Sequence, residues 1–223
     1  LGHVHKRQVH SEAPWIVMPG IPQGRDIGEA GPKSATLLTI DEKNIVVSEV
    51  PTSAAEFIEV WVSADGIESD DDLRHQIRDV LLRTAKELAS DAGLIRLSIG
   101  GETSRKWQIL RDQDSWREVV AELARSTGVL WVERTKFAFS AETAGVATDG
   151  SAVAELERIM GEILSEPAFT SGLRASLEAV LAEIPIGRRS RLIPDEAATE
   201  NLAHSLSETG ATAVLASMKG ASE

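Results

Sequence analysis

The feature that most constrains the fold is a change in the spacing of apolar residues between positions 56 and 139. Two segments alternate apolar and other residues, which indicates strands with one buried face. They contain Ile58, Val60 and Val62, and Ile95, Leu97 and Ile99. A stripe with helical spacing lies between them and comprises Leu73, Ile77, Val80, Leu81 and Leu88. The order strand, helix, strand predicts an α/β module.

Polar and small residues predict the ends of the helices in this module. Ser69 precedes three aspartates, which suit a helix N-terminus, and Gly93 is placed as the C-terminal cap of the same helix. Ser115 and Glu118 have the spacing of a capping box, which predicts a second helix up to Gly128. Residues 129–134 and 136–139 then close the module as strand.

The flanking segments have different patterns. In residues 1–50 strands are expected at 15–18, 35–40 and 44–50, with a hairpin turn at 41–43. Residues 140–150 are small and polar and are predicted to be a linker. The remaining chain predicts helices, the last one beginning near Pro194 and breaking at Gly210. The fold class predicted is therefore α/β with a C-terminal helical segment.

Composition excludes several kinds of site. The chain contains no cysteine, so disulfides, cysteine metal sites and cysteine nucleophiles are excluded. A metal would have to be held by His, Asp, Glu, Asn or backbone oxygen. No apolar run reaches the roughly 18 residues that span a bilayer, and no secretory signal is visible. A cytoplasmic location without membrane contact is expected, which fits the lack of cysteine.

The net charge of −12 is concentrated towards the C-terminus. Residues 1–50 carry 5 basic and 6 acidic groups, whereas residues 141–223 carry 6 and 13. A chain with this much negative charge does not bind nucleic acids in general through its overall charge. Contact with DNA is expected to be local and near the almost neutral N-terminal part.

His3 and His5 are the strongest chemical signal. On an extended backbone, residues two apart point to the same side, so both imidazoles can serve one metal ion or a pair of ions. Gly2 leaves room for backbone close to an ion. The alternative is a chance pair near a terminus or the remnant of a purification tag.

The residues around this pair carry a resemblance to a known family. Gly2-His3-Val4-His5 and the segments that follow it resemble the last metal motif of calcineurin-like metallophosphoesterases, and more closely their DNA-repair exonuclease (SbcD-like) subfamily. The matching segments are residues 14–20, 22–25 and 29–33. Residues 96–103 are similar to a strand and turn of that subfamily's capping module.

The resemblance implies a two-metal centre, usually manganese, in which His3 and His5 are ligands. The other ligands and the catalytic histidine precede this motif in the family, so no catalytic residue is expected in this chain. The chain begins with Leu1 rather than Met. We therefore expect the C-terminal portion of a longer enzyme, inactive by itself.

The resemblance also implies the domain organisation. Residues 1–50 would be closing strands of a metallophosphoesterase αββα sandwich, residues 51–140 an α/β capping domain, and residues 141–223 a linker and helical segment. Residues 151–223 would bind an SMC-like (SbcC-type) ATPase, an apolar helix-in-groove contact. The alternative is that these helices pack only on each other as a self-contained bundle. The sequence does not decide whether the chain forms a homodimer.

Three residues of the motif are candidates for contact with substrate. Arg25 lies in a glycine-rich loop where a guanidinium can bind phosphate with two hydrogen bonds, and Gln23 and Lys33 are weaker candidates. The alternative for Arg25 is a salt bridge to Asp26 or Glu29, or simple solvation.

Two functions from different classes follow. The first is a divalent-metal-dependent DNA exonuclease that hydrolyses phosphodiester bonds, to which this chain contributes two ligands and the cap. The second is a non-catalytic interaction module that binds an ATPase or DNA.

Overall fold

The computed structural model describes residues 4–41, 44–139 and 152–221. They form two compact units, the first made of Leu1–Arg105 with Gln113–Ser140, the second of Lys106–Asp112 with Ala141–Glu223. The mixed α/β class predicted from the sequence is confirmed. The turn residues 42–43 and the linker at 140–150 lie outside the described residues, and the three-part domain division stays a prediction.

The N-terminal part of the first unit is built from two antiparallel ribbons. Strand β1 (Gln8–Glu12) pairs with β2 (Trp15–Met18), and β3 (Ser34–Asp41) pairs with β4 (Asn44–Pro51). The sequence predicted the last three of these strands but not β1, whose polar residues lack the alternation of a half-buried strand. The Trp15 indole N–H donates to the carbonyl oxygen of Ile45 at 3.1 Å and so joins the two ribbons.

The α/β part contains a parallel three-stranded sheet in the order β5–β6–β7. Its strands are β5 (Ala55–Ser63), β6 (Ala92–Gly100) and β7 (Leu130–Phe137). Helix α1 (Asp70–Glu87) packs on β5 and α3 (Gln113–Ser126) on β7, and the two helices contact each other. They therefore cover the same face of the sheet. The fully buried side chains of this core include Val62, Leu73, Ile77, Leu81, Ile95, Leu97, Ile99, Val120 and Leu130.

The helix boundaries confirm one prediction and correct two. Ser69 is the N-cap of α1, and its hydroxyl accepts the Asp72 N–H at 3.1 Å. Gly93 is not a helix cap, because α1 ends at Glu87 and Gly93 lies in β6, where a Cβ atom would approach Leu130 Cδ2 at 2.7 Å. Ser115 is not an N-cap either, because α3 already begins at Gln113.

The second unit is helical. Its elements are α2 (Lys106–Arg111), α4 (Ala152–Ser165), α5 (Pro167–Ala182), α6 (Ile186–Leu192) and α7 (Glu196–Lys219). Helix α7 packs against α2, α4 and α5. No helix in the described ranges is long and apolar enough to cross a membrane.

The predicted break at Gly210 is wrong, since α7 continues through this residue. One glycine in a helix interior costs only about 1 kcal/mol relative to alanine. Over the 24 residues of α7 this loss is small beside the packing against three other helices and the cap at Asp195, whose side chain accepts from the Ala198 N–H at 2.8 Å.

Replacing Leu81 by alanine tests the buried face of α1. Leu81 is fully buried, whereas its neighbour Leu82 is 45% exposed. Leu81→Ala should lower the free energy of unfolding by about 2–5 kcal/mol, because it removes buried methyl groups and leaves a cavity. Denaturant unfolding followed by circular dichroism measures this change.

Leu82→Ala is the matched control, and should change the free energy of unfolding by less than about 0.5 kcal/mol. Equal losses in the two variants would contradict the helix orientation described above.

Candidate functional site

Three side chains of the N-terminal part converge on one point. His5 Nδ1 lies 2.5 Å from Glu29 Oε1, and Arg25 Nη2 donates to the same carboxylate oxygen at 2.9 Å. The backbone N–H of Arg25 donates to Glu29 Oε2 at 2.8 Å. We call His5, Arg25 and Glu29 the His–Arg–Glu cluster.

A short 3-10 helix (Ile27–Glu29) supplies the carboxylate of this cluster. The side chain of Asp26 caps the helix by accepting the Gly28 N–H at 2.8 Å. Glu29 is at its last position, and its side chain is only 12% exposed. Arg25 precedes it by four residues, and its guanidinium is 68% exposed.

The turn at Gly20 fixes the backbone of His5. Gly20 has φ +74°, and the Ile21 N–H donates to the His5 carbonyl oxygen at 3.2 Å. A Cβ atom on Gly20 would lie 2.9 Å from that oxygen and 2.7 Å from the Arg7 nitrogen. The approach is so close that only glycine fits here.

Gln23 and Lys33 hold the loop between these residues in place. The Gln23 amide donates to the Ala55 carbonyl oxygen at 2.7 Å and accepts the Ala54 N–H at 3.0 Å. The Lys33 ammonium donates to the carbonyl oxygens of Ala30 and Gly31 at 2.7 and 3.1 Å. Both polar groups therefore bind backbone at the start of β5 or within the loop itself.

The charges of the cluster stabilise the ionised carboxylate. Hydrogen bonds from the Arg25 side chain and backbone are the main reason that the pKa of Glu29 is lowered to about 2. The His5 hydrogen bond lowers it further, and desolvation opposes the shift. The pKa of Arg25 is raised, chiefly by its hydrogen bond to Glu29. Near neutral pH the cluster therefore contains a carboxylate and a guanidinium.

The site residues predicted from the sequence are located as follows in the structure. His3 lies outside the described residues. Arg25 forms the salt bridge to Glu29 that was the alternative to a substrate contact. The contact between His5 and Glu29 depends on a fold that brings together residues 24 positions apart. The local sequence therefore contains no signal for Glu29 beyond its spacing of four from Arg25.

The surroundings of the His5 ring match those of a histidine that binds a metal ion. A histidine that binds a metal through one ring nitrogen usually donates the other N–H to a carboxylate, which is the position of Glu29. Within the described ranges no group of three or more His, Asp or Glu residues could hold a metal ion. A complete site therefore needs donors beyond these residues.

The comparisons with known proteins bear on the α/β part. Residues 57–140 match the family model described as metallophosphoesterase YhaO, middle domain. No curated protein matches the chain significantly. The matched range contains most of β5 and the whole of α1, β6, α2, α3 and β7. The match supports the metallophosphoesterase resemblance, independently of the histidine motif, which precedes the matched range.

Gly20→Ala should displace His5 and destabilise the N-terminal ribbons. The added Cβ would clash with the backbone of residues 5 and 7. Gly31→Ala is the control, because Gly31 has a similar φ of +78° and no atom within 4 Å of its Cβ position. Both variants should lose about 1–3 kcal/mol from backbone strain.

Gly20→Ala should lose about 1–3 kcal/mol more from the clash. Thermal unfolding compares the variants, and the NMR signals of the His5 ring report its displacement. Equal stability losses and unchanged His5 signals would contradict the close packing at this turn.

Proposed function

We propose that this chain is the C-terminal part of a divalent-metal-dependent DNA repair exonuclease that acts in the cytoplasm and uses Mn²⁺. The observation that carries the proposal is the placement of His5, the second histidine of the Gly-His-x-His motif, against Glu29. A carboxylate behind a ring nitrogen is the usual support of a histidine that binds metal. The match to a metallophosphoesterase middle domain supports the same class of phosphoester hydrolysis.

The exposed apolar residues of the β3–β4 ribbon also support this proposal. Leu37 and Leu38 are adjacent and so point to opposite faces, yet both are more than half exposed. The others on this ribbon are Ile40, Ile45, Val46 and Val50. A two-stranded ribbon with uncovered apolar faces is marginally stable alone. We infer that these strands complete a larger sandwich whose other strands cover them.

The residues of this chain would have separate tasks in the reaction. His5, together with His3, would hold metal, and a pair of metal ions activates water and stabilises the attacking and leaving oxygens. Arg25 presents an exposed guanidinium beside His5, which suits contact with a DNA phosphate. Gln23 and Lys33 would contribute indirectly, by holding the loop that carries Arg25.

His5→Ala should abolish hydrolysis in a form of the protein that includes the upstream ligands. Loss of a ligand from the metal site should lower Mn²⁺-dependent cleavage of linear DNA by more than about 100-fold. His10→Ala is the control and should retain activity, because His10 is exposed on β1.

Nuclease activity that persists in His5→Ala would overturn the metal assignment. If the unaltered protein cleaves no phosphodiester under any divalent metal, the non-catalytic interaction module becomes the better account.

We also propose that the helical segment 151–223 docks on an SMC-like ATPase. Its helices leave large apolar side chains exposed in the described range. The most exposed are Val180 at 61%, Ile186 at 76% and Leu192 at 68%. Large apolar side chains that are exposed to this extent on two consecutive helices favour a surface that another protein covers.

Val180→Asp and Ile186→Asp test this surface. Each should weaken binding to the purified ATPase by more than about tenfold, because a charge would have to be buried against an apolar partner. Thermal stability should hardly change, since both side chains are exposed. Ser176→Asp, at an exposed polar position of α5, is the control for added charge.

Unchanged ATPase binding in both variants would contradict the docking proposal. Self-association lost in both variants, without an effect on the ATPase, would instead assign the surface to a homodimer.

A further inference from the structure

We propose that Glu29 is the positioning residue of His5. In this proposal its carboxylate holds the proton of the imidazole at Nδ1, so that the lone pair of Nε2 is directed to the metal, and Arg25 holds the carboxylate in place. The inference rests on the proposed metal-dependent function, because it concerns how one ligand of that site is oriented.

The hydrogen bonds determine the tautomer of His5. An ionised carboxylate only accepts hydrogen bonds, so a contact of 2.5 Å between Glu29 Oε1 and His5 Nδ1 requires the proton on Nδ1. Arg25 Nη2 lies 3.2 Å from the same ring nitrogen, but a guanidinium only donates. Arg25 and His5 therefore do not bond to each other, and both donate to Glu29 Oε1. In a neutral ring Nε2 is left as the acceptor, which is the atom that binds metal.

The oxygens of Glu29 are already occupied, so it is not itself a free metal ligand. Oε1 accepts from His5 and from the Arg25 guanidinium, and Oε2 accepts from the Arg25 backbone N–H. With 12% of the side chain exposed, little of the carboxylate remains open. Its effect on a metal must therefore pass through His5.

The loop rather than the segment around His5 sets the position of this carboxylate. Asp26 caps the 3-10 helix that ends at Glu29, and Gln23 ties the preceding residues to β5. A Cβ atom on Gly24 would approach the Glu29 carbonyl oxygen at 3.0 Å, so the backbone turns tightly here. The ring of His5 is consequently held by a frame that does not depend on bound metal.

NMR of the His5 ring in this 223-residue chain tests the geometry without any metal. Nitrogen shifts of a neutral imidazole ring distinguish the two tautomers, so the spectra are recorded at a pH above which the His5 ring signals no longer change. The unaltered chain should show one tautomer with the proton on Nδ1. Glu29→Ala should give a mixture, and Glu29→Gln, which keeps an acceptor oxygen, should restore Nδ1 protonation in part.

Glu49→Gln is the matched control. Glu49 is a carboxylate of the same unit that pairs with Arg7 at 3.3 Å and accepts from the Ser34 hydroxyl, with no bond to His5. It should leave the His5 tautomer unchanged. A mixture of tautomers in the unaltered chain, or no change in Glu29→Ala, would overturn the inference.

Manganese titration of the protein with its upstream ligands gives the second readout. Glu29→Ala should weaken Mn²⁺ binding by about 10–100-fold, the usual effect of removing the partner of a ligating histidine. Glu29→Gln should weaken it less, and Glu49→Gln should leave it unchanged. Mn²⁺ affinity that is equal in all variants would also overturn the inference.

The two readouts separate this inference from the proposed function. If the unaltered protein binds no Mn²⁺ while the His5 tautomer still depends on Glu29, the proposed function has failed and the contact is only structural. If the protein binds Mn²⁺ and cleaves DNA but is indifferent to Glu29, only the positioning role has failed.

Discussion

The central strand β6 is the element on which the first unit depends. Parallel strands must be joined by long crossovers, and in α/β proteins helices that cover the sheet usually supply them. Here α1 follows β5 and α3 precedes β7, and both pack over the face that carries Ile95, Leu97 and Ile99. The first strand of this sheet also anchors the loop of the candidate site through Gln23. The burial of β6 thus stabilises a frame that reaches the His–Arg–Glu cluster.

The fold was predictable where one local pattern dominates. Ser69 and the apolar stripe specify α1 with little competition. The cap and the burial of Leu73, Ile77 and Leu81 are confirmed, whereas Leu88 of the predicted stripe lies just beyond the end of the helix. Gly93 was misassigned because a glycine can serve either a helix cap or a closely packed strand, and only contact with Leu130 decides between them. Gly210 was misassigned because its weak local preference is outweighed by tertiary packing along α7.

The candidate site was predictable only in part, for a related reason. His5 and Arg25 carry recognisable chemistry in their own segments, so motif spacing identifies them. Glu29 meets His5 only because the turn at Gly20 and the bonds of Gln23 return the chain to the same place. A contact between residues so far apart in the sequence is not visible in local sequence patterns. The side-chain types of the two residues indicate a role in metal binding only after the fold has placed them next to each other.

The assignment of Lys106–Asp112 to the helical unit has a topological consequence. The chain leaves the α/β unit after Arg105, contributes α2 to the other unit, and returns at Gln113. The α/β unit is therefore discontinuous in sequence, and one cleavage between residues 140 and 151 would leave α2 and α7 on separate fragments. The N-terminal fragment would then carry α2, whose Ile109 is 1% exposed in the intact chain. The C-terminal fragment would carry the other helices of the same unit. Limited proteolysis at that point would yield a nicked, associated pair rather than two independent domains.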